Sequence, residues 1–160
     1  MPMLTKALLC LLLAVAGCGP FPSSDQPLPT ATATLHWATI TLPRSSYCWY
    51  MNGHGQCADS AGPTALLQSG YLKPYRTAGG FDARINFKAA SSVHLFRAEL
   101  VLTPPNVLPT PVSIKAATTI TIAAVPPGNE GVYVYEVTGT WQGSGEVSFY
   151  LPLDLVPGTA

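Results

Sequence analysis

Charge is the scarcest property of this chain. Asp, Glu, Lys and Arg make up 10% of its 160 residues, against about 25% in ordinary soluble domains. Eight basic residues balance eight acidic ones. A nucleic-acid-binding surface carries a basic excess, so no nucleic-acid partner is expected. A polybasic membrane-surface protein needs a Lys/Arg cluster, and none is present. Long apolar runs are lacking as well. No stretch reaches about eighteen consecutive apolar residues, so no transmembrane helix is expected. Motifs of catalysis are missing too. There is no Gly-x-Ser-x-Gly elbow, since Gly143-Ser144-Gly145 has the composition of a turn. There is no phosphate-binding Gly-Lys-Ser/Thr loop and no His-Glu-x-x-His. The acidic residues stand singly, so no glycosidase pair can be located. No catalytic residue, cofactor or metal is assigned. A small cell-wall hydrolase stays open as an alternative, because sites are grafted onto folds.

What the chain has instead is apolar and turn-forming. Hydrophobic residues are 48%, with 14 Gly and 16 Pro. That apolar content can support a core and argues against disorder. The Gly and Pro content argues against a helical bundle, and it follows no collagen period. The length suits a single domain.

The N-terminal segment has the organisation of an export signal. Lys6 is its only charge, and the ten residues Ala7 to Ala16 are all apolar. This is signal h-region length, too short to span a bilayer. The run ends in Val15-Ala16-Gly17-Cys18, which resembles the bacterial lipobox. In such proteins the Cys is acylated at sulfur and the signal is cut before it. Cys18 is therefore the expected lipidation residue. An ordinary signal peptide cut at Ala16 or Gly17 is the alternative. Two or more acyl chains anchor stably where one binds only marginally. Residues 1–17 are expected to be removed and residues 18–34, rich in Pro, Ser and Thr, to form a tether. The expected location is the outer face of the bacterial cytoplasmic membrane, with the membrane itself as a partner through the anchor.

A β-sandwich is expected over residues 35–157. Leu35 to Leu42 is β-branched and aromatic. Phe81, Ala83, Ile85 and Phe87 alternate with Asp82, Arg84, Asn86 and Lys88, which predicts a half-buried strand. In Val93 to Thr103 the residues Phe96, Ala98, Leu100 and Leu102 share one face, opposite Arg97 and Glu99. Val112 to Ile122 forms one long strand or two broken by a bend. Val132 to Trp141 and Glu146 to Leu155 flank Gln142-Gly143-Ser144-Gly145, the composition of a hairpin turn. Only Thr64 to Ser69 suggests a helix. Seven or eight strands and one short helix predict an all-β, antiparallel, immunoglobulin-like sandwich. Asn129-Glu130-Gly131-Val132-Tyr133 resembles the segment in which a tyrosine hydroxyl bonds back to the corner backbone. The second Cys of an antibody domain is absent, and Tyr135 stands there.

With Cys10 in the signal and Cys18 acylated, Cys48 and Cys57 remain as a pair in an oxidising compartment. A disulfide is expected. The rival reading is a copper or zinc site, with Cys48, Cys57, His54 and Met51 as soft ligands. His36 and His94 fall in predicted strands. Trp49 and Tyr50, with Tyr47, form an aromatic patch that either packs into the core or presents a platform. Trp49, Tyr50, Met51 and His54 are the candidate binding surface.

Ser46-Tyr47-Cys48-Trp49, Cys57-Ala58-Asp59, Tyr133-Val134-Tyr135 and Gly139-Thr140-Trp141 together resemble a pattern of small lipoproteins of Gram-positive bacteria. That resemblance implies location and fold, and no mechanism. The expectation is a lipid-anchored extracytoplasmic module acting as a binding or structural accessory. Its partner would be an envelope protein, a peptide or a glycan.

Overall fold

The computed structural model describes residues 27–158, apart from 37 and 52. Cys18, expected to be acylated, lies outside the described residues, as do the expected signal segment 1–17 and residues 18–26 of the expected tether.

Eleven strands and one short helix follow in order: β1 Thr30–Thr34, β2 Thr39–Leu42, β3 Arg44–Met51, β4 His54–Asp59, α1 Pro63–Gln68, β5 Tyr75–Ala78, β6 Phe81–Lys88, β7 Leu95–Leu102, β8 Ser113–Ala116, β9 Thr119–Ile122, β10 Gly131–Trp141 and β11 Gly145–Val156. They build two sheets, ordered β2-β1-β6-β9-β8 and β4-β3-β11-β10-β7. The strand β5 runs parallel to the C-terminal part of β11. All other recorded pairs are antiparallel. Within this, β6-β9-β8 facing β7-β10-β11 matches the B-E-D and C-F-G order of an immunoglobulin-like sandwich, and β1 takes the A position beside β6. The strands β2, β3 and β4, together with α1, are added between β1 and β5. They explain why eleven strands are found where seven or eight were expected.

The strand boundaries correct the expected start of the domain. Thr30–Thr34 belongs to β1 rather than to a tether, and Ala31 and Ala33 are buried. The segment Leu35 to Leu42 is not one strand. Leu35 opens a turn in which its N–H donates to the Ala38 carbonyl at 2.8 Å, and the chain reverses into β2. Alanine is weakly apolar, so the Thr/Ala alternation gave little periodic contrast. Val112 to Ile122 is the broken alternative, a β8–β9 hairpin.

The inner faces meet as the parity predicts. Ala83 and Ile85 of β6 and Ile120 and Ile122 of β9 face Val137 of β10 and Val147, Phe149 and Leu151 of β11. Small Ala31, Ala33 and Ala83 in one sheet leave room for large side chains in the other, which is how facing layers interdigitate. Aromatic rings close one end. Trp141 meets Trp49 at 5.4 Å and Phe87 at 5.3 Å, both edge to face, the preferred aromatic geometry. The Trp141 indole N–H donates to the Ser91 carbonyl at 3.1 Å, so burial leaves no lost hydrogen bond there.

At the opposite face of the larger sheet α1 covers a second, smaller cluster. Leu72, Val134 and Tyr150 are buried there against Leu66 and Leu67. Pro63 lies in the first turn of α1, where its missing N–H costs nothing. Gly70, with φ of 74°, ends α1. Its N–H bonds the Leu67 carbonyl and that of Tyr71 bonds the Leu66 carbonyl, the pattern of a Schellman cap. A bulge in β7 opposite Val134 and Tyr135 turns Val101 and Leu102 toward this cluster. Leu102 thereby leaves the face it was expected to share with Leu100.

Pro152 sits mid-strand in β11, where a proline ordinarily breaks a ladder. The Tyr150 N–H points away from β10, to the Pro43 carbonyl at 2.9 Å. Position 152 has the same parity. It lies between the last recorded β3 partner, at Phe149, and the first β5 partner, at Leu153. The missing N–H falls where the edge passes from one neighbour to the next.

The corner before β10 forms as anticipated. The Tyr133 hydroxyl donates to the Asn129 carbonyl at 2.6 Å, and burial raises its pKa. Tyr133→Phe should lower the unfolding free energy by about 1–2 kcal/mol, because a part-buried carbonyl loses its donor. Urea denaturation monitored by tryptophan fluorescence measures this.

Candidate functional site

The β3–β4 hairpin brings Cys48 and Cys57 directly opposite each other. They form a disulfide with Cα atoms 4.1 Å apart. The bridge takes both thiolates that a soft-metal site would need. Among the described residues no group of three or more His, Cys, Asp or Glu is placed to hold a metal ion.

Strand alternation sends neighbours to opposite faces, and this divides the sequence candidates. Trp49 turns inward and is 1% exposed. It belongs to the core and cannot be a surface platform, which corrects its place in the candidate surface. Tyr50 stays outside with Cys48. Its ring lies across Gly55, where an added Cβ would come within 2.9 Å of the Tyr50 Cε1. Gly55 is thus the residue that lets the ring lie down on the hairpin. His54 is exposed at the start of β4. Met51 ends β3, and its side chain lies outside the described residues. His36 packs on Phe81 at 4.5 Å in the β1–β2 turn, and His94 precedes β7, so the three histidines stand on separate elements.

Cys48 and Tyr50 share the outer face of the larger sheet with a polar patch that the sequence did not single out. One row across the sheet carries Cys57, Cys48, Glu146, Thr140 and Leu95. The next carries Ser148, Thr138 and Arg97, and the next Tyr150, Glu136 and Glu99. The patch is internally bonded. Arg97 pairs with Glu146 at 2.9 Å, and the Thr138 and Ser148 hydroxyls meet at 2.7 Å. The Ser45 hydroxyl donates to the Glu136 carboxylate.

Ser45 reaches this face through a bulge. Tyr47 pairs with Val147 and Arg44 with Phe149, so Ser45 and Ser46 together oppose Ser148 alone. A bulge of this kind re-aims a side chain. The extra residue returns Ser45, which parity alone would place inward, to Glu136. Glu99 stands directly across from Glu136, a like-charge pair that disfavours the ladder locally. Burial raises the Tyr150 hydroxyl above its ordinary pKa; a bond with Ser60 opposes the shift and the nearby Glu136 adds to it.

A groove of 480 Å³ lies over this patch, lined by Arg97, Glu99, Glu136, Thr138 and Ser148, and it continues to Ile114 of β8. A second groove of 350 Å³ follows the start of β7, between Val93 to Phe96 and Ile114 to Thr118. The only sequence signal for the patch was the Arg97/Glu99 parity in β7. The bulge and the cross-strand rows depend on pairing register, which a local pattern does not encode.

No family model, no curated protein and no solved structure matches this chain.

Two substitutions separate core from surface. Trp49→Ala should cost about 3–5 kcal/mol, as expected for a large buried aromatic. Cys48→Ser with Cys57→Ser should cost less than about 3 kcal/mol, because the closed loop is short and the bridge lies on an exposed face. Equilibrium unfolding of each variant gives the comparison, and an equal or smaller loss for Trp49→Ala would contradict the assignment.

Proposed function

We propose that this chain is a lipid-anchored, extracytoplasmic module of the bacterial envelope that works by docking, as a binding or structural accessory. The lipobox-like Val15-Ala16-Gly17-Cys18 and the Cys48–Cys57 disulfide support the location, since structural disulfides persist in oxidising compartments. The resemblance to small Gram-positive lipoproteins agrees with it.

One observation carries the docking reading. The chain has sixteen charged side chains, eight of each sign, and Arg97, Glu99, Glu136 and Glu146 stand on one sheet face. That face sets both signs of charge beside the Thr138 and Ser148 hydroxyls and under a groove, which equips it for polar recognition. The strands beneath hold it rigidly, and sites on rigid elements are more precise than sites on loops. The groove lining contains hydroxyls and both signs of charge but no aromatic ring. Those groups suit the backbone and charged side chains of a protein or peptide. A glycan ring would have no aromatic surface to stack on in this groove.

Metabolic labelling with a fatty-acid analogue tests the anchor. Cys18→Ala should lose the label and leave the membrane fraction; equal labelling would overturn it. Affinity capture after cross-linking in intact cells tests the face. Glu136→Gln with Thr138→Val should lose captured envelope protein that His54→Ala retains.

A further inference from the structure

The free edge of β7 is complementary to itself. This strand ends its sheet, pairing with β10 and with no other strand among the described residues. It is eight residues long, whereas β2 and β8, which end the other sheet, have four each. A long unpaired edge is a template for another strand. Two grooves border β7, one over Arg97 and Glu99 and one beside Leu95 and Phe96, and both reach Ile114 of β8. Leu95 is 52% exposed and Ile114 45%, so apolar surface is open beside this edge.

The sequence of β7 is near-palindromic in its chemistry about Ala98. Leu95 answers Val101, Phe96 answers Leu100, and Arg97 answers Glu99. Two copies laid antiparallel about Ala98 would set each Arg97 opposite the other copy's Glu99. The backbone has the parity for this register. The His94 N–H points to β10, donating to the Thr140 carbonyl at 2.7 Å. The Thr140 carbonyl thus faces β7, and its partner Leu95, with Arg97 and Glu99, turns its backbone groups to β10, so alternation sends the N–H groups of Phe96, Ala98 and Leu100 outward. Phe96 and Leu100 would therefore form the hydrogen-bonded pairs, and Arg97 and Glu99 the two reciprocal non-hydrogen-bonded pairs, in which opposed side chains lie closer. Ala98 would sit on the two-fold axis and exchange both backbone hydrogen bonds with its counterpart. The second Arg97 would also bring a positive charge beside the Glu99 that faces Glu136.

We infer that the chain forms a two-fold dimer by antiparallel β7–β7 pairing centred on Ala98, joining the two larger sheets into one. This inference rests on the docking reading and names a second copy as the partner of that face. The bulge at Val101 and the prolines Pro104 and Pro105 just beyond limit the ladder to a short run. The interface is isologous, so pairing consumes both edges and closes.

Sedimentation of the full mature chain in density-matched detergent tests it. A dimer should be present at about 100 µM, within reach of a small interface. Arg97→Glu alone, or Glu99→Arg alone, turns both cross-strand pairs repulsive and should weaken the dimer about ten-fold. The double swap Arg97→Glu with Glu99→Arg restores opposite charges in the same register and should recover most of that loss. Ala98→Pro removes an outward N–H and should give a monomer that keeps the parent far-UV spectrum. A monomeric parent chain overturns the inference, as does a dimer indifferent to all four variants or a double swap no better than the single ones. The measurement needs no further ligand, so its failure is distinct from failure of the capture experiment.

Discussion

The eleven-residue ladder between β10 and β11 is the constraint on which the rest of the structure depends. One side of that ladder is free for β7 and the other for β3 and β5. Its odd-numbered residues supply most of the inner face of the larger sheet, and its even-numbered residues supply the floor of the polar patch. Its turn is tight because Gly145, with φ of 124°, allows a backbone approach that any side chain would block. A Cβ there would lie 2.0 Å from the Cys48 carbonyl oxygen. The same glycine therefore fixes β3 against β11, and with it the position of Trp49. A displacement of the ladder by one residue would exchange core and patch together.

Much of the fold was legible because its strands have one wet face and one dry face. Phe81 to Lys88 alternates cleanly, and the strand is found there with the predicted parity. Val147, Phe149, Leu151, Leu153 and Leu155 all point inward. The Tyr133 corner was readable because it is local, depending on residues four apart. Thr30–Thr34 was not readable, since its inward residues are alanines. The burial of Ser148, Tyr150 and Pro152 on the other face of β11 was not readable either. An element that covers a sheet removes the contrast on which periodicity depends.

The candidate site was legible only in part, for a related reason. Cys48 and Cys57 could be paired by compartment, and Tyr50 does lie on an outer face. Trp49, next in sequence to both Cys48 and Tyr50, points the other way. Adjacent positions in a strand share a sequence window and nothing else. The polar patch is the converse case. Ser45, Arg97, Glu136 and Ser148 are scattered over more than a hundred positions, and register across four strands brings them together.

The two bulges show how this fold departs from regularity to build a face. The extra residue in β3 brings a hydroxyl to Glu136, which would otherwise face Glu99 with no donor from that strand. The extra residue in β7 sends Val101 and Leu102 under α1, which seals one end of the same face with apolar contacts. A regular sheet would have given α1 fewer apolar partners and Glu136 no serine. Between the two bulges the strands stay in register, and that undistorted stretch carries Arg97, Thr138 and Ser148. The polar patch is therefore bounded by irregular backbone and floored by regular backbone. Its side chains hold fixed spacings at the floor, while the bulges set where it ends.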